Sequence, residues 1–452
     1  MSNQFKLMKE KRFRPFFMTQ FWGAFNDNMF KTALITLVAF HAASLTSLDS
    51  AMLVTILPGV FILPYFLFSA TAGQLADKFE KSKIIRLVKI FEIGIMLFAS
   101  AGFFLHNIWL LGIALFMMGM HSTLFGPVKY SYLPQHLGEH ELMGGNGMVE
   151  MGTFVAILLG QVLGAWLAIQ HPHELITSVA ILVIAVLGYW HSRGVPDSPA
   201  QEPLLKINWN PFTETYRSIQ FIWQHQTVWL AIIAISWFWF YGATLLAQFP
   251  NFARSVLHGD ESVFILLLTT FSLGIGVGSL LCERLSKGKV ELGLVLFGAI
   301  GLTLFSIDLY YSSTHINEHW NHQTLADYMT FIHKHIDMHG NIILSHWRLI
   351  ADIMLIGLFG GFYIVPLYAF VQSRAQKSHQ SRVIAATNIL NALFMVVSAG
   401  FSLWIFNQGL NIPELFLTTA LLNIVVMIYL CARQPAYYKS FMSWIGLKKS
   451  NP

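Results

Sequence analysis

The segment Gly73-Gln-Leu-Ala-Asp-Lys-Phe-Glu-Lys-Ser-Lys83 is short and polar, and it separates two long apolar runs. It holds three lysines and two acids within eleven residues. The flanking runs, 51–72 and 84–105, are each long enough to cross about 30 Å of hydrocarbon as a helix. A short basic connection between two spans is typical of the cytoplasmic side of a membrane. The segment therefore predicts a transmembrane helical hairpin whose turn lies in the cytoplasm.

The composition extends this prediction to the whole chain. Of 452 residues, 55% are hydrophobic and only 11% are charged, against about 25% charged in ordinary soluble domains. This balance indicates a multi-pass membrane protein. The net charge of +5 follows from basic cytoplasmic loops, so we expect no nucleic-acid partner. Two cysteines give no disulfide framework.

Apolar runs of spanning length recur twelve times. The predicted spans are 16–41, 51–72, 84–105, 108–133, 146–169, 175–192, 227–249, 262–282, 291–311, 347–371, 383–406 and 412–432. If both termini are cytoplasmic, 24 of the 28 Lys and Arg residues lie on the inner side. Three lie outside and Lys31 lies in mid-membrane, so the bias predicts this orientation. The first span is too long for a signal peptide and no cleavage site follows it.

The fold class predicted is an all-α membrane protein with twelve transmembrane helices in two six-helix bundles. Residues 193–226 are polar and contain four prolines, which indicates a cytoplasmic linker. We expect an N-terminal bundle over 1–192 and a C-terminal bundle with a basic tail over 227–452. Within the linker, 212–223 has the pattern of an amphipathic surface helix. Two-bundle transporters bind substrate near the midplane, between the halves.

The first span carries a polar stripe. Gln20, Gly23, Asp27 and Lys31 share one helical face, and Asp27 and Lys31 have the spacing of an intrahelical ion pair. Charges inside a membrane usually face a bundle interior or a water path, which favours a cavity-lining, substrate-binding role. The alternative is a self-neutralised pair that holds helices together.

Span ten repeats this pattern with Arg348 and Asp352, again four residues apart. Two ion pairs facing one cavity would suit a substrate that carries both charges. Arg348 lies near the outer end, however, so the alternative is that it reaches the interface.

Spans four and five contain further candidates. Lys129 follows Gly126-Pro127, which should loosen the helix, and it is a plausible anion anchor unless it extends to the cytoplasmic surface. In span five, Asn146, Glu150 and Thr153 share a face, and the spacing of Gly160 and Gly164 predicts close helix packing.

The remaining polar residues are weaker candidates for the site. We interpret Glu92 and Asp308 as lone acids with structural or interfacial roles. Asn388 and Asn391 form interhelical hydrogen bonds in our interpretation, and the alternative is that they line the cavity. The histidine-rich segment 312–346 has no tight metal-ligand spacing. We therefore expect neither a metal nor a cofactor, and no enzymatic motif is found.

The segment Gly73–Lys83 resembles the signature loop of the major facilitator superfamily, Gly-x-Leu-x-Asp-Arg-x-Gly-Arg-Lys. Glu80 replaces the second glycine, so we expect a looser turn, and a degenerate copy, Gly278–Lys289, follows in the second half. In that superfamily the loop aspartate helps to close the cytoplasmic side. The resemblance therefore implies a gating role for Asp77, together with Gly73 and Lys78.

Other motifs resemble the lysophospholipid transporter family. They are Gly23-Ala-Phe-Asn-Asp-Asn28, Gly126-Pro-Val-Lys-Tyr130, Asn146-Gly-Met-Val-Glu150, the start of span nine and Gly360–Phe370. The resemblance implies that lysophospholipids are flipped across the bacterial inner membrane toward an acyltransferase or acyl-carrier-protein ligase. It places Asp27, with Asn28 beside it, Lys129 and Glu150 at the substrate.

This resemblance agrees with the chemistry of the polar residues. A lysine suits the phosphate of a lysophospholipid head, a carboxylate suits its ammonium, and the apolar surroundings suit its single acyl chain. We expect a monomer. The alternative is a proton-coupled exporter of drugs or a siderophore, although span five lacks the proline between Gly152 and Gly164 that such exporters often carry. A non-transporting partner of lipid enzymes is a more distant alternative.

Overall fold

The computed structural model of the chain describes residues 4–41, 50–170, 174–314 and 345–447. Regular secondary structure in these ranges is helical, as predicted. A 3₁₀ turn, Gln4–Lys9, precedes the first long helix. The helices of the first half are α1 Arg14–His41, α2 Ser50–Lys78, α3 Lys81–Phe104, α4 Ile108–His136, α5 Leu142–Gln170 and α6 Glu174–Ser192.

The second half continues the same pattern. Its helices are α7 Pro211–Gln224, α8 Gln226–Asn251, α9 Glu261–Ser286, α10 Gly293–Thr314, α11 Ser345–Arg374, α12 Gln380–Asn407, α13 Ile412–Arg433 and α14 Ala436–Trp444. A single π-helical turn, Phe252–Val256, extends α8.

Eleven helices in the described ranges are long and apolar enough to cross a membrane. They account for predicted spans two to twelve. The first predicted span corresponds to α1, which is 28 residues long but is not among the eleven. Helix α1 has the length to cross, since 28 residues extend about 42 Å, and the polar residues along it lower its hydropathy.

The chain divides into two compact units. Unit 1 comprises 1–145, 152–229 and 371–392, and unit 2 comprises 146–151, 230–370 and 393–452. These units do not follow the predicted bundle boundaries, because the start of α12 groups with the first half. The division into bundles 1–192 and 227–452 stays a prediction.

In unit 1, small residues bring α5 against α1, as the spacing of two glycines predicts. A Cβ atom at Gly160 would lie 2.4 Å from the Phe25 carbonyl oxygen, and one at Gly164 would lie 2.4 Å from that of Met29. Only a hydrogen at these positions leaves room for the neighbouring backbone. Helix α1 is thereby fixed with its polar residues inside the unit.

Unit 2 uses the same packing between α9 and α11. A Cβ atom at Gly274 would lie 2.2 Å from the Met354 carbonyl oxygen, and one at Gly278 would lie 2.0 Å from that of Leu358. A buried side-chain bond adds to this unit, since Trp237 Nε1 donates to Asn423 Oδ1 at 2.8 Å.

The linker forms the helix expected from its pattern. Helix α7 begins with Pro211 after the cap residue Asn210, whose side chain accepts hydrogen bonds from two backbone N–H groups. Phe212, Tyr216 and Trp223 are exposed on this helix. Its amphipathic character is therefore confirmed, and its position on a membrane surface stays a prediction.

Helix α4 does not loosen at Gly126-Pro127, contrary to expectation. It continues to His136 with two internal prolines. A Cβ atom at Gly126 would lie 2.5 Å from Asn388 Nδ2. Glycine therefore serves here to admit a side chain from α12 rather than to break the helix.

Candidate functional site

Helix α1 places Asp27 against α4 rather than against its own next turn. Ser122 donates a hydrogen bond to Asp27 Oδ2, and His121 Nδ1 lies 3.7 Å from Asp27 Oδ1. The Asp27 side chain retains 13% of its exposure. Its oxygen Oδ1 has no hydrogen-bond partner among the described residues.

Helix α3 contributes an ion pair at the same level of unit 1. Lys89 Nζ lies 2.6 Å from Glu92 Oε2, and both side chains are fully buried. Asn26 Nδ2 donates to Glu92 Oε1 at 2.7 Å, and His121 Nε2 lies 3.2 Å from Glu92 Oε2. Glu92 is thus surrounded by three polar groups from three helices.

We call Asn26, Asp27, Lys89, Glu92, His121 and Ser122 the buried network. The His121 ring lies between the Asp27 and Glu92 carboxylates, so a doubly protonated imidazole would present an N–H to each of them. Gly23 makes space for the network, because a Cβ atom there would lie 2.5 Å from Lys89 Nζ. The arrangement can bind a cation or hold a proton deep in the unit.

The predicted Asp27–Lys31 ion pair is wrong. No described acid lies within 4.0 Å of the Lys31 ammonium, which instead sits 5.0 Å from the centre of the Phe61 ring. The spacing permits the pair, but Ser122 and His121 contact the Asp27 carboxylate from the neighbouring helix. Lys31 remains next to the network as a cation facing an aromatic ring.

The interpretation of Glu92 as a lone acid is also wrong. Its partners Lys89 and His121 were not predicted from the sequence as site residues. The available signal was a lysine and a glutamate three residues apart, well inside the predicted span 84–105. His121 gave none, because a single histidine in an apolar helix is ordinary. Only the packing of α3 and α4 against α1 brings the three side chains together.

A second polar chain links α4, α5 and α1. Lys129 Nζ donates to Thr153 Oγ1 at 2.9 Å, and Thr153 Oγ1 donates to Gln20 Oε1 at 3.0 Å. Lys129 retains only 9% exposure, which excludes the alternative that it extends to the surface. A buried lysine beside hydroxyl and amide groups can bind an anion.

The other predicted site residues on α1 and α5 are buried as well. Asn28 retains 8% exposure and donates through Nδ2 to the Ala24 carbonyl at 2.8 Å. Asn146 and Glu150 retain 0% and 1%. Their burial fits either a polar path or a packing role.

In unit 2, the predicted Arg348–Asp352 ion pair is wrong. Arg348 instead binds Asp308 on α10 through two hydrogen bonds, of which Nε–Oδ2 measures 2.9 Å. Asp308 is therefore not a lone acid. Asp352 is buried and accepts a hydrogen bond from Ser312 Oγ at 3.0 Å. Arg348 lies at the partly exposed end of the helix.

The signature loop meets the start of α12 within unit 1. Asp77 is fully buried, and its carboxylate accepts from the Ser381 backbone N–H at 3.0 Å and from Arg382 Nε at 3.0 Å. A Cβ atom at Gly73 would lie 2.7 Å from that of Ala385, so glycine allows this approach. Lys78 Nζ lies 5.8 Å from the centre of the Phe79 ring.

Glu80, the departure from the family pattern, caps α3. It accepts hydrogen bonds from the backbone N–H groups of Ser82, Lys83 and Ser198 at 2.7–2.9 Å. Burial favours the neutral carboxyl, but these bonds outweigh it and hold the pKa of Glu80 below its ordinary value. The turn is therefore tight rather than loose.

No group of three or more metal-ligating side chains occurs in the described ranges. Most of the histidine-rich segment 312–346 lies outside them.

Long apolar helices with buried charges of both signs are typical of membrane proteins that move ions or polar substrates. The Major Facilitator Superfamily profile matches residues 16–323, and the chain belongs to that superfamily.

The resemblance to lysophospholipid transporters is confirmed at the level of sequence similarity. The chain is 25% identical to the Lysophospholipid transporter LplT of Escherichia fergusonii over 398 residues, which cover 86% of this chain and 87% of that protein. The protein of the same name from Salmonella paratyphi B is 25% identical over 396 residues, with 85% of each chain covered.

Solved structures show the same fold. The human organic anion transporter MFSD10 (TETRAN) superposes with a TM-score of 0.69 at 11% identity, covering 92% of this chain and 99% of that one. A bacterial homologue of the iron transporter ferroportin, in an outward-facing state, gives 0.60 at 14% identity with the same coverage.

Proposed function

We propose that this chain flips lysophospholipids across the bacterial inner membrane toward the cytoplasmic face, where an acyltransferase or acyl-carrier-protein ligase reacylates them. The protein would act by alternating access between two six-helix bundles joined by the linker 193–226, with both termini in the cytoplasm. It would carry out no chemistry itself. The similarity to transporters of that name over most of both chains supports this substrate class.

The observation that carries the proposal is the buried Asp27 carboxylate. Its Oδ1 atom has no hydrogen bond from any residue that the structure describes, and a buried polar atom without a hydrogen bond is costly in an apolar environment. A substrate ammonium would fill this place. Lys129, buried farther along α4, is the corresponding partner for a phosphate.

The separation of the two groups along α4 is close to the length of one head group. Ser122, which holds Asp27, precedes Lys129 by seven residues, or about 10 Å of helix. The phosphate and ammonium of an ethanolamine head are joined by four bonds, which extend about 5 Å, and a hydrogen bond of about 2.8 Å adds to this length at each end. One extended head group is therefore long enough to contact both groups, and we infer that Asp27 and Lys129 bind it together.

The remaining predicted residues complete this path. Asn28, Lys31, Asn146 and Glu150 would line the head-group route in the first half, and Arg348 and Asp352 would serve in the second half. Asp77, with Gly73 and Lys78, would close the cytoplasmic side through the bonds to Ser381 and Arg382.

The test is uptake of labelled lysophosphatidylethanolamine by spheroplasts that carry the protein. The wild type should take up the lipid, and Asp27→Ala and Lys129→Ala should reduce uptake at least about tenfold, since each removes a charge-assisted contact. Asp197→Ala and Lys83→Ala, at exposed positions, are matched controls that should transport normally. A wild type inactive toward every lysophospholipid tested would refute the proposal.

A second candidate function is proton-coupled export of drugs or a siderophore. His121, placed between two carboxylates, favours it, because buried chains of His, Asp and Glu side chains serve as proton relays in membrane pumps and transporters. Efflux of a cationic dye that stops when the proton gradient collapses, and that is lost in His121→Gln, would support this alternative. Lysolipid uptake that is insensitive to that gradient would exclude it.

A further inference from the structure

An open basic groove of about 660 Å³ lies where the chain enters α1 and leaves α6. Its lining comes from two short segments, 9–15 and 190–194. They pack closely, since a Cβ atom at Gly194 would lie 3.2 Å from that of Pro15. The groove is separate from the buried network and is not part of the proposed transport path.

The groove carries an excess of uncompensated positive charge. Lys9, Lys11, Arg14 and Arg193 line it and are exposed. None of these four side chains has an ion pair or hydrogen bond to any residue in the described ranges. The single acid in the lining, Glu10, is already paired, because Arg12 Nε lies 2.5 Å from its carboxylate. Four cations thus face one groove with no partner for their charge among the residues that the structure describes.

An apolar surface continues from the groove along α6. Trp190 lines the groove and is 65% exposed. Val179, Val183 and Val186 precede it at helical spacing, and each is about half exposed. These residues share one face of the helix. A ligand with an anionic head and an apolar tail would therefore contact both the basic groove and the valine face. A free phosphate would contact only the basic groove.

We propose that this groove binds the phosphate head of an anionic diacyl phospholipid, with the acyl chains lying along the valine face of α6. Basic pockets between transmembrane helices at the cytoplasmic side suit such heads, and an exposed tryptophan is typical of the interface between membrane and water. The positive-inside bias places this end of the unit in the cytoplasmic leaflet.

The experiment is native mass spectrometry of the delipidated full chain, titrated with phosphatidylglycerol or with phosphatidylcholine. Lys9→Gln/Lys11→Gln/Arg193→Gln removes three charges from the groove. Lys6→Gln/Lys83→Gln/Lys206→Gln removes three exposed charges that do not line it and is the matched control. We expect the groove variant to bind phosphatidylglycerol at least about tenfold more weakly than the control does.

Two results would overturn the proposal. In the first, the groove variant and the control variant lose affinity for phosphatidylglycerol by the same factor, which would indicate a diffuse electrostatic effect. In the second, soluble glycerol phosphate displaces phosphatidylglycerol at equal concentration, which would indicate a phosphate site that does not recognise lipid. If the triple variant does not fold, the single change Arg193→Gln is compared with Lys83→Gln in the same titration.

Discussion

At the scale of single residues, the buried network explains why charged groups occur in a chain that is otherwise so apolar. Lys89 and Glu92 neutralise each other, and Asn26 and His121 contact the same carboxylate. Asp27 lies at the edge of this group, with one oxygen bonded to Ser122 and the other unbonded. The fully buried pair has its charges matched within the protein, and Asp27 is the acid that we propose binds a ligand.

This difference predicts that Glu92 is more important for folding than Asp27 is. Glu92→Gln should lower stability by about 3–5 kcal/mol, because it leaves the Lys89 ammonium buried without a counter-charge. Thermal unfolding in detergent measures the effect, with the exposed Glu139→Gln as control. Lys89→Met/Glu92→Leu, which removes both charges, should recover most of the loss. A double variant as unstable as Glu92→Gln would contradict the prediction.

At the scale of helices, the close contacts depend on positions without a side chain. Gly160 and Gly164 let α5 approach the α1 backbone, and Gly73 lets α2 approach α12. These contacts determine which face of α1 points inward, and therefore where Asp27 lies. The loop between α2 and α3 is fixed in turn by Glu80, which caps α3 and also binds the linker at Ser198.

Gly164→Ala should destabilise the protein by about 1–3 kcal/mol, since its Cβ would lie 2.4 Å from the Met29 carbonyl oxygen and would force the helices apart. Gly112→Ala is the control, because in the described part of the chain no atom beyond the neighbouring backbone of its own helix lies within 4 Å of the added Cβ. The control should be neutral or stabilising through its better helix propensity. Equal melting temperatures for the two variants would argue against close α1–α5 packing.

The cap at Glu80 predicts a dependence on pH. The pKa of Glu80 is lower in the folded chain than its ordinary value of 4.5. The ionised side chain therefore stabilises the fold fully above pH 4.5, and this stabilisation is lost as the pH falls through the folded pKa. Glu80→Ala should therefore cost about 1 kcal/mol at pH 7 and less at pH 3 than at pH 7. The measurement is thermal unfolding of the wild type and of Glu80→Ala at pH 7 and at pH 3. A stability difference between the two proteins that is equally large at both pH values would disprove the role of the Glu80 charge.

The sequence predicted the helices well and the contacts between them poorly. Span positions follow from hydropathy, which is local, and the Gly160–Gly164 contact follows from the spacing of small residues. The ion pairs were predicted from intrahelical spacing, whereas Asp27 and Arg348 bind residues on other helices. Which helices are neighbours is a property of the whole fold, so the partners His121 and Asp308 were not evident from local sequence.

At the scale of the whole molecule, transport requires that a path open first on one side of the membrane and then on the other. The contact of Asp77 with Ser381 and Arg382 is one place where such a change could be controlled. It joins α2 to α12 through buried hydrogen bonds, and Ser131 on α4 bonds to Ser381 at 3.0 Å.

We predict that Asp77→Asn weakens this contact by removing the charge that Arg382 binds. A cysteine introduced at the fully buried Ser131 should then react several-fold faster with a membrane-permeant maleimide, in a background lacking Cys282 and Cys431. Asp197→Asn in the same background is the control and should leave the rate unchanged. Identical labelling rates in all three proteins would mean that Asp77 does not control access to this region.

Head-group-resolved flipping in proteoliposomes tests most directly whether the buried charges recognise the lipid head group, as we propose. Lysophosphatidylethanolamine and lysophosphatidylglycerol share a phosphate, but only the first carries an ammonium. We expect Asp27→Asn to slow transport of the ethanolamine lipid selectively, and Lys129→Gln to slow transport of both lipids. Equal slowing of the two lipids by Asp27→Asn, or no slowing by either variant, would contradict it.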